Sequence, residues 1–85
     1  MNALEQLLEF ISRLQDSNIH FTLHCVRDAI MVAIVSPRTY YEVEFFSDGH
    51  IEVQAWGPAD PVQRVGLDEI TQIIKDALLG PVPQE

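Results

Sequence analysis

The sequence predicts an α+β two-layer sandwich in a single domain over residues 1–85, with the order helix, four-stranded antiparallel meander, helix. Both ends of the chain have apolar residues at helical spacing, and the middle has apolar residues that alternate with polar ones. Because two amphipathic helices and one apolar sheet face cover each other, both helices are expected on the inner face. One helix on each face is the alternative, since residues 29–35 (AIMVAIV) are apolar on both sides.

The first helix is predicted over residues 2–16, where Asn2 and Glu5 form a capping box. Phe10 lies off the main apolar stripe, and we expect its ring to widen the buried face rather than to remain exposed. The stripe itself follows helical spacing and consists of Leu4, Leu7, Leu8, Ile11 and Leu14.

The hairpin over residues 40–56 organises the sheet, because only one register keeps the inner residues of both its strands on one face. That register leaves residues 47–49 as a loop, a type I turn followed by Gly49 in the left-handed region. It also places Glu44 directly opposite Glu52, although like charges in this arrangement are destabilising by about 0.2–1 kcal/mol.

Two strands over residues 19–26 and 29–35 precede the hairpin, joined by a tight turn at Arg27 and Asp28. In this register three apolar pairs form the inner layer, namely Cys25 with Ile30, Leu23 with Val32, and Phe21 with Ile34. Residues 62–66 are predicted as a loop or a short extended piece. The closing helix begins at Leu67 or Asp68 and ends at Leu79, before Gly80 and Pro81.

Composition limits the function classes. Apolar residues make up 47% of the chain and charged residues 21%, which is typical of a folded domain and not of a disordered one. The formal net charge of −8 repels phosphate backbones and anionic membranes and attracts basic proteins, so neither nucleic-acid nor membrane binding is expected. The same acidity also serves solubility alone.

Cys25 is the single cysteine, which excludes an internal disulfide and a tetrathiolate zinc site. It falls on the apolar side of its strand, so we expect a buried, unreactive thiol. The sequence has no signal peptide and no apolar run long enough to span a membrane, and the expected compartment is therefore the cytoplasm.

The outer face of the predicted sheet has aromatic rings at two corners, carboxylates in the middle and apolar residues between them. This composition is typical of a protein contact, in which Tyr and Trp are the usual anchors. The alternative is that Tyr40 and Trp56 only stabilise the hairpin as a cross-strand pair, and both interpretations can hold together. The candidate partner-binding residues are Tyr40, Glu42, Glu44, Phe46, Glu52, Gln54, Trp56, Met31 and Val35.

No catalytic motif accompanies this face. Glu44 and Glu52 resemble the adjacent carboxylates of glycosidases, but there is no Gly-rich loop, no exposed nucleophile and no obvious cleft. His24 and His50 could join the two glutamates in a weak metal site, although histidines in an acidic field are more often only solvated. We therefore expect no enzyme, no metal and no cofactor.

The stretch AIMVAIVSPRTYYEVEFFSDGHIEV resembles short uncharacterised bacterial proteins in which an apolar strand, a proline turn and an EVEFF-x-DG-x-x-EV hairpin follow one another. The resemblance covers about a third of the chain. The resemblance implies a bacterial or phage origin and the same hairpin, but it implies no activity. In size and charge the chain is also similar to immunity proteins, antitoxins and phage-encoded inhibitors.

These observations predict a non-catalytic binding protein of the immunity or inhibitor type, whose outer sheet face docks on a basic partner such as a toxin or nuclease. Tyr40 and Trp56 are the expected anchors, while the glutamates meet Arg or Lys. The second class is a homo-oligomeric structural protein, a homodimer with the same face as its seam. A small enzyme is the third and least favoured class.

Overall fold

The computed structural model describes residues 1–35, 40–56 and 63–78, without the side chains of residues 63, 64, 77 and 78. Within these ranges five strands form one antiparallel sheet in which neighbouring strands follow the chain order, and the α+β class and the four-stranded meander are confirmed. The elements are α1 Ala3–Asp16, β1 Thr22–Val26, β2 Ala29–Val35, β3 Tyr40–Phe46, β4 Ile51–Trp56, β5 Gln63–Val65 and α2 Leu67–Leu78.

Both helices pack on the inner face of the sheet, as predicted. The ring of Phe10 on α1 lies 5.4 Å from that of Phe45 on β3, and Arg13 of α1 donates hydrogen bonds to Asp68 and Thr71 of α2. One apolar core therefore holds the two layers together. Its buried residues are Phe10, Leu14, Ile19, Val32, Ile34, Tyr41, Val43, Phe45, Ile51, Val53, Val65, Ile70 and Ile74.

Helix α1 has the predicted capping box, in which Asn2 and Glu5 each accept the backbone N–H of the other. Its buried face is rotated from the predicted stripe. Phe10 is fully buried, whereas Leu4 and Leu8 are 61% and 56% exposed, so the prediction was wrong for these two leucines. Phe10 packs against Phe45, and this contact rotates α1 so that Leu4 and Leu8 lie at the edge of its buried face.

The β3–β4 hairpin has the predicted register, with Glu44 opposite Glu52. Gly49 has a φ of +93°, a backbone conformation that side chains with a Cβ adopt only with strain. The Asp48 carboxylate accepts the backbone N–H of His50 at 2.9 Å. The side-chain amide of Gln6 donates to the Gly49 carbonyl at 2.7 Å, which ties α1 to the turn.

Strand β1 is shorter than predicted. Its pairing with β2 begins at Thr22, so the predicted pair of Phe21 with Ile34 is outside the ladder. The tight turn is confirmed, and Arg27 adopts a φ of +49° within it. Cys25 was predicted to be buried and is exposed. The reason is that β1 is an edge strand, while the contacts of α1 with the sheet centre on β3.

Residues 62–66 were predicted as a loop or a short extended piece, and strand β5 shows that part of this segment is extended. It pairs antiparallel with β4, and its register places residue 64 opposite Glu52. Helix α2 follows directly and ends within one residue of the predicted position, as far as the described residues extend. Within the described ranges, neither helix combines the length and the apolar character needed to cross a bilayer.

Candidate protein-binding face

The candidate site is the outer face of the sheet, formed by side chains that point away from both helices. No element in the described ranges lies over it. The ladders place the outer-face residues in three rows across the sheet, and His20 lies outside the β1–β2 ladder. The rows are Val35, Tyr40 and Trp56; then Thr22, Ala33, Glu42 and Gln54; then His24, Met31, Glu44 and Glu52.

Aromatic rings form one corner of the face. The rings of Tyr40 and Trp56 lie 5.3 Å apart in a tilted arrangement, so the predicted cross-strand pair is present. The Tyr40 hydroxyl donates to the Glu42 carboxylate at 2.9 Å, and this hydrogen bond raises the pKa of Tyr40. Trp56 is 43% exposed and Val35 is 70% exposed. The corner thus offers apolar surface next to an oriented carboxylate.

Two glutamates face each other in the middle of the surface. Glu44 and Glu52 are cross-strand partners, and both side chains are half-buried between their neighbours. Burial raises the pKa of Glu44, and the charges of Glu52, Glu42 and Asp28 raise it further. The folded protein therefore holds negative charge here at a cost, and a cation placed over the pair would offset that cost.

The opposite corner contains His50, for which the sequence offered only a weak metal site with Glu44 and Glu52. The His50 ring stacks on Phe46 with centroids 4.2 Å apart, and its Nε2 lies 2.9 Å from a Glu52 oxygen. Its Nδ1 contacts Asp48 on the other side. Residues 48, 50 and 52 recur at the period of a strand, which is the signal that could have predicted this row of contacts.

In the described ranges, no group of three or more His, Cys, Asp or Glu side chains is arranged to hold a metal ion. The His24 ring lies 2.9 Å from the Thr22 hydroxyl on its own strand, and Met31 separates His24 from Glu44 in the row. The face combines carboxylates, aromatic rings and apolar surface with two imidazoles, His24 and His50, and with the polar side chains of Thr22 and Gln54.

Comparison of the chain with protein-family models, with curated proteins and with solved structures finds no match. Any functional conclusion therefore depends on the geometry and the charge of this face.

Replacing Glu44 by Gln is expected to raise the free energy of unfolding at neutral pH by about 0.2–1 kcal/mol, the range for like-charged cross-strand pairs. Because the folded-state pKa of Glu44 lies above its unfolded value, the native state binds more protons. The stability from this group is fully present below the unfolded pKa and is lost as the pH rises through the folded pKa.

Urea unfolding at mildly acidic and at neutral pH measures this effect. Between the two pH values, Glu44→Gln should lose less stability than the wild type, since the glutamine has no carboxyl group to ionise. An identical loss in both proteins would show that Glu44 does not carry the pH dependence assigned to it.

Proposed function

We propose that this protein is a non-catalytic acidic binding protein of the immunity, antitoxin or inhibitor type, acting in the bacterial cytoplasm. Its outer sheet face docks on a basic protein partner such as a toxin or nuclease. The observation that carries the proposal is the opposed pair Glu44 and Glu52 on a face that no described element covers. A pair that is unfavourable in the free protein becomes favourable when a cationic group joins it.

Arg is the partner residue that best fits this pair. A guanidinium group presents planar, bidentate donors and is more weakly hydrated than an ammonium group, so it loses less on entering an interface. Glu42 lies in the neighbouring row and is held by the Tyr40 hydroxyl, so a third carboxylate is oriented without a partner present. The three glutamates together would steer the approach of a basic protein.

The aromatic corner supplies the apolar part of the contact. Trp56 and Tyr40 are residue types that dominate the binding energy of protein interfaces, and the exposed Val35 lies in the same row. Met31 and Gln54 fill the rows between this corner and the glutamates. A contact of this kind combines a desolvated anchor with charges that set its specificity.

A homodimer that packs its outer faces together is the second candidate. The exposure of Val35 and Trp56, at 70% and 43%, favours an apolar seam on this face. However, such a dimer brings Glu42, Glu44 and Glu52 of both copies into one interface, where like charges repel strongly after desolvation. A basic partner meets the same carboxylates favourably, so the first candidate is preferred.

The test compares two charge-matched variants as affinity baits in a bacterial lysate that contains the partner. One variant carries Glu44→Lys and Glu52→Lys on the outer face, and the control carries Asp16→Lys and Asp76→Lys on the helices. Each reversal replaces one negative charge by one positive charge and so changes the net charge by two, which brings both variants from −8 to −4. A basic protein captured by the wild type and the control, but not by the face variant, is expected.

The captured protein is then purified and its association rate is measured against salt concentration. The rate should fall steeply as salt rises, because steering between opposite charges is screened over about 10 Å at 0.1 M ionic strength. Equal loss of capture by both variants would show that binding depends on the net charge and not on the outer face, and it would overturn the proposal. A rate that is insensitive to salt would also contradict it.

A further inference from the structure

Strand β1 has a free hydrogen-bonding edge within the described part of the chain, because it pairs with β2 alone. Its inner side is also open. Leu23 is 50% exposed and Cys25 is exposed, although both point to the side of the sheet that carries the helices. A groove of about 320 Å³ runs beside Cys25, between the start of α1 and strand β2, and Leu4, Leu7, Ile30 and Phe45 are among its lining residues.

The β1 edge lacks the features that keep edge strands from pairing. Monomeric proteins block such edges with Lys or Pro, with inward-pointing charges, with bulges or with very short strands. The sequence of β1, TLHCV, contains none of these residues, and its ladder with β2 runs without a bulge over five pairs. The opposite edge, β5, is only three residues long. The β1 edge is therefore competent to add another strand.

We propose that β1 pairs antiparallel with β1 of a second copy of this chain, across a two-fold axis at His24, so that two five-stranded sheets become one of ten strands. In this register Leu23 of each copy lies opposite Cys25 of the other. The Leu23 side chain then reaches the mouth of the apolar groove beside Cys25, which the single copy leaves open to water. Pairing satisfies the free backbone groups and covers part of both apolar side chains.

Charge permits a second copy at this edge, in contrast to the outer face with its glutamates. Two chains of net charge −8 repel each other, but β1 contains no acidic residue. The nearest acid, Asp28 in the turn, approaches the segment of the other copy that contains His20 and not another carboxylate. The contact thus avoids the glutamates of the outer face.

The pairing leaves the outer face accessible. Glu44, Glu52 and Trp56 lie on β3 and β4, at least two strands away from the new seam, and the ten-stranded sheet presents them twice. The dimer is therefore compatible with the proposed function and does not depend on it. Failure of one proposal leaves the other standing.

The oligomeric state tests the proposal, measured by sedimentation equilibrium over a concentration series. The wild type should approach twice the mass of one chain as its concentration rises. Leu23→Lys places an inward-pointing charge on the edge and should reduce the mass twofold, to that of the monomer. The matched control is Val35→Lys, which changes an exposed apolar residue on the outer face, 70% exposed against 50% for Leu23, and should leave the dimer intact.

Circular dichroism of each variant checks that the fold is retained, which is expected because both side chains are largely exposed. A wild type that stays monomeric throughout the series would overturn the proposal. A dimer lost in Val35→Lys and kept in Leu23→Lys would place the seam on the outer face and would also overturn it.

Disulfide trapping tests the register. Directly opposite residues have Cα atoms about 5.5 Å apart, within the range that a disulfide bridges. Leu23→Cys should therefore form a covalent dimer with the native Cys25 under mild oxidation. The wild type should not, since Cys25 of the two copies would be diagonal neighbours about 7–8 Å apart. Equal cross-linking of the two proteins would reject the axis at His24.

Discussion

Replacing Phe10 by Ala is expected to lower the free energy of unfolding by about 3–5 kcal/mol, the range for deleting a buried aromatic side chain. Phe10 is fully buried, and its ring lies between α1 and the Phe45 ring on β3. Deletion leaves a cavity at the junction of the two layers, where neither the helix nor the sheet can move in to fill it. The free energy of unfolding of a small domain is only about 5–15 kcal/mol in total, so Phe10→Ala would remove much of the stability.

Leu8→Ala is the matched control, because it truncates an apolar side chain two residues away on the same helix. Leu8 is 56% exposed, and the variant should remain within about 0.5 kcal/mol of the wild type. Urea unfolding followed by circular dichroism measures both variants. If Leu8→Ala cost as much as Phe10→Ala, the buried face of α1 would be the stripe predicted from helical spacing and not the one centred on Phe10.

Helical spacing identifies which residues of α1 are apolar, but it does not fix how the helix rotates on the sheet. Together the predicted stripe and Phe10 occupy more of the circumference than the sheet can cover. The contact between Phe10 and Phe45 decides the rotation, and it joins residues 35 positions apart in the sequence. Leu4 and Leu8 are exposed for this reason. The extent of burial depends on long-range packing that a local pattern does not contain.

The strand register was easier to predict from the sequence than the part of the sheet that the helices cover. Alternation of apolar residues and a glycine at the turn determine the β3–β4 register locally, and the positions of Glu44 and Glu52 follow from it. The exposure of Cys25 could not be predicted in the same way, because it depends on how far α1 reaches across the sheet. The sequence thus predicts which residues share the outer face, while the exposure of Leu23 and Cys25 on the inner side of β1 emerges only in three dimensions.

Ile74→Ala on α2 is the second change with a large expected effect, a loss of about 2–5 kcal/mol in the free energy of unfolding. Ile74 is fully buried in the core that α2 shares with α1 and the sheet. Ile73 is its natural control, since it is the same residue type in the adjacent position and is only half-buried. Both substitutions change helix propensity equally, so the difference between them isolates burial.

Ile73→Ala should cost about 1 kcal/mol, the centre of the distribution for point mutations. In a domain of this size, each kcal/mol of difference between the two variants should separate their melting temperatures by about 4–8 °C. Thermal unfolding followed by circular dichroism therefore resolves them. Equal melting temperatures would mean that α2 presents both isoleucines to the sheet alike, and α2 would then be rotated from the orientation that buries Ile74 alone. The sequence pattern of α2 cannot distinguish the two residues, because both fall on its apolar face.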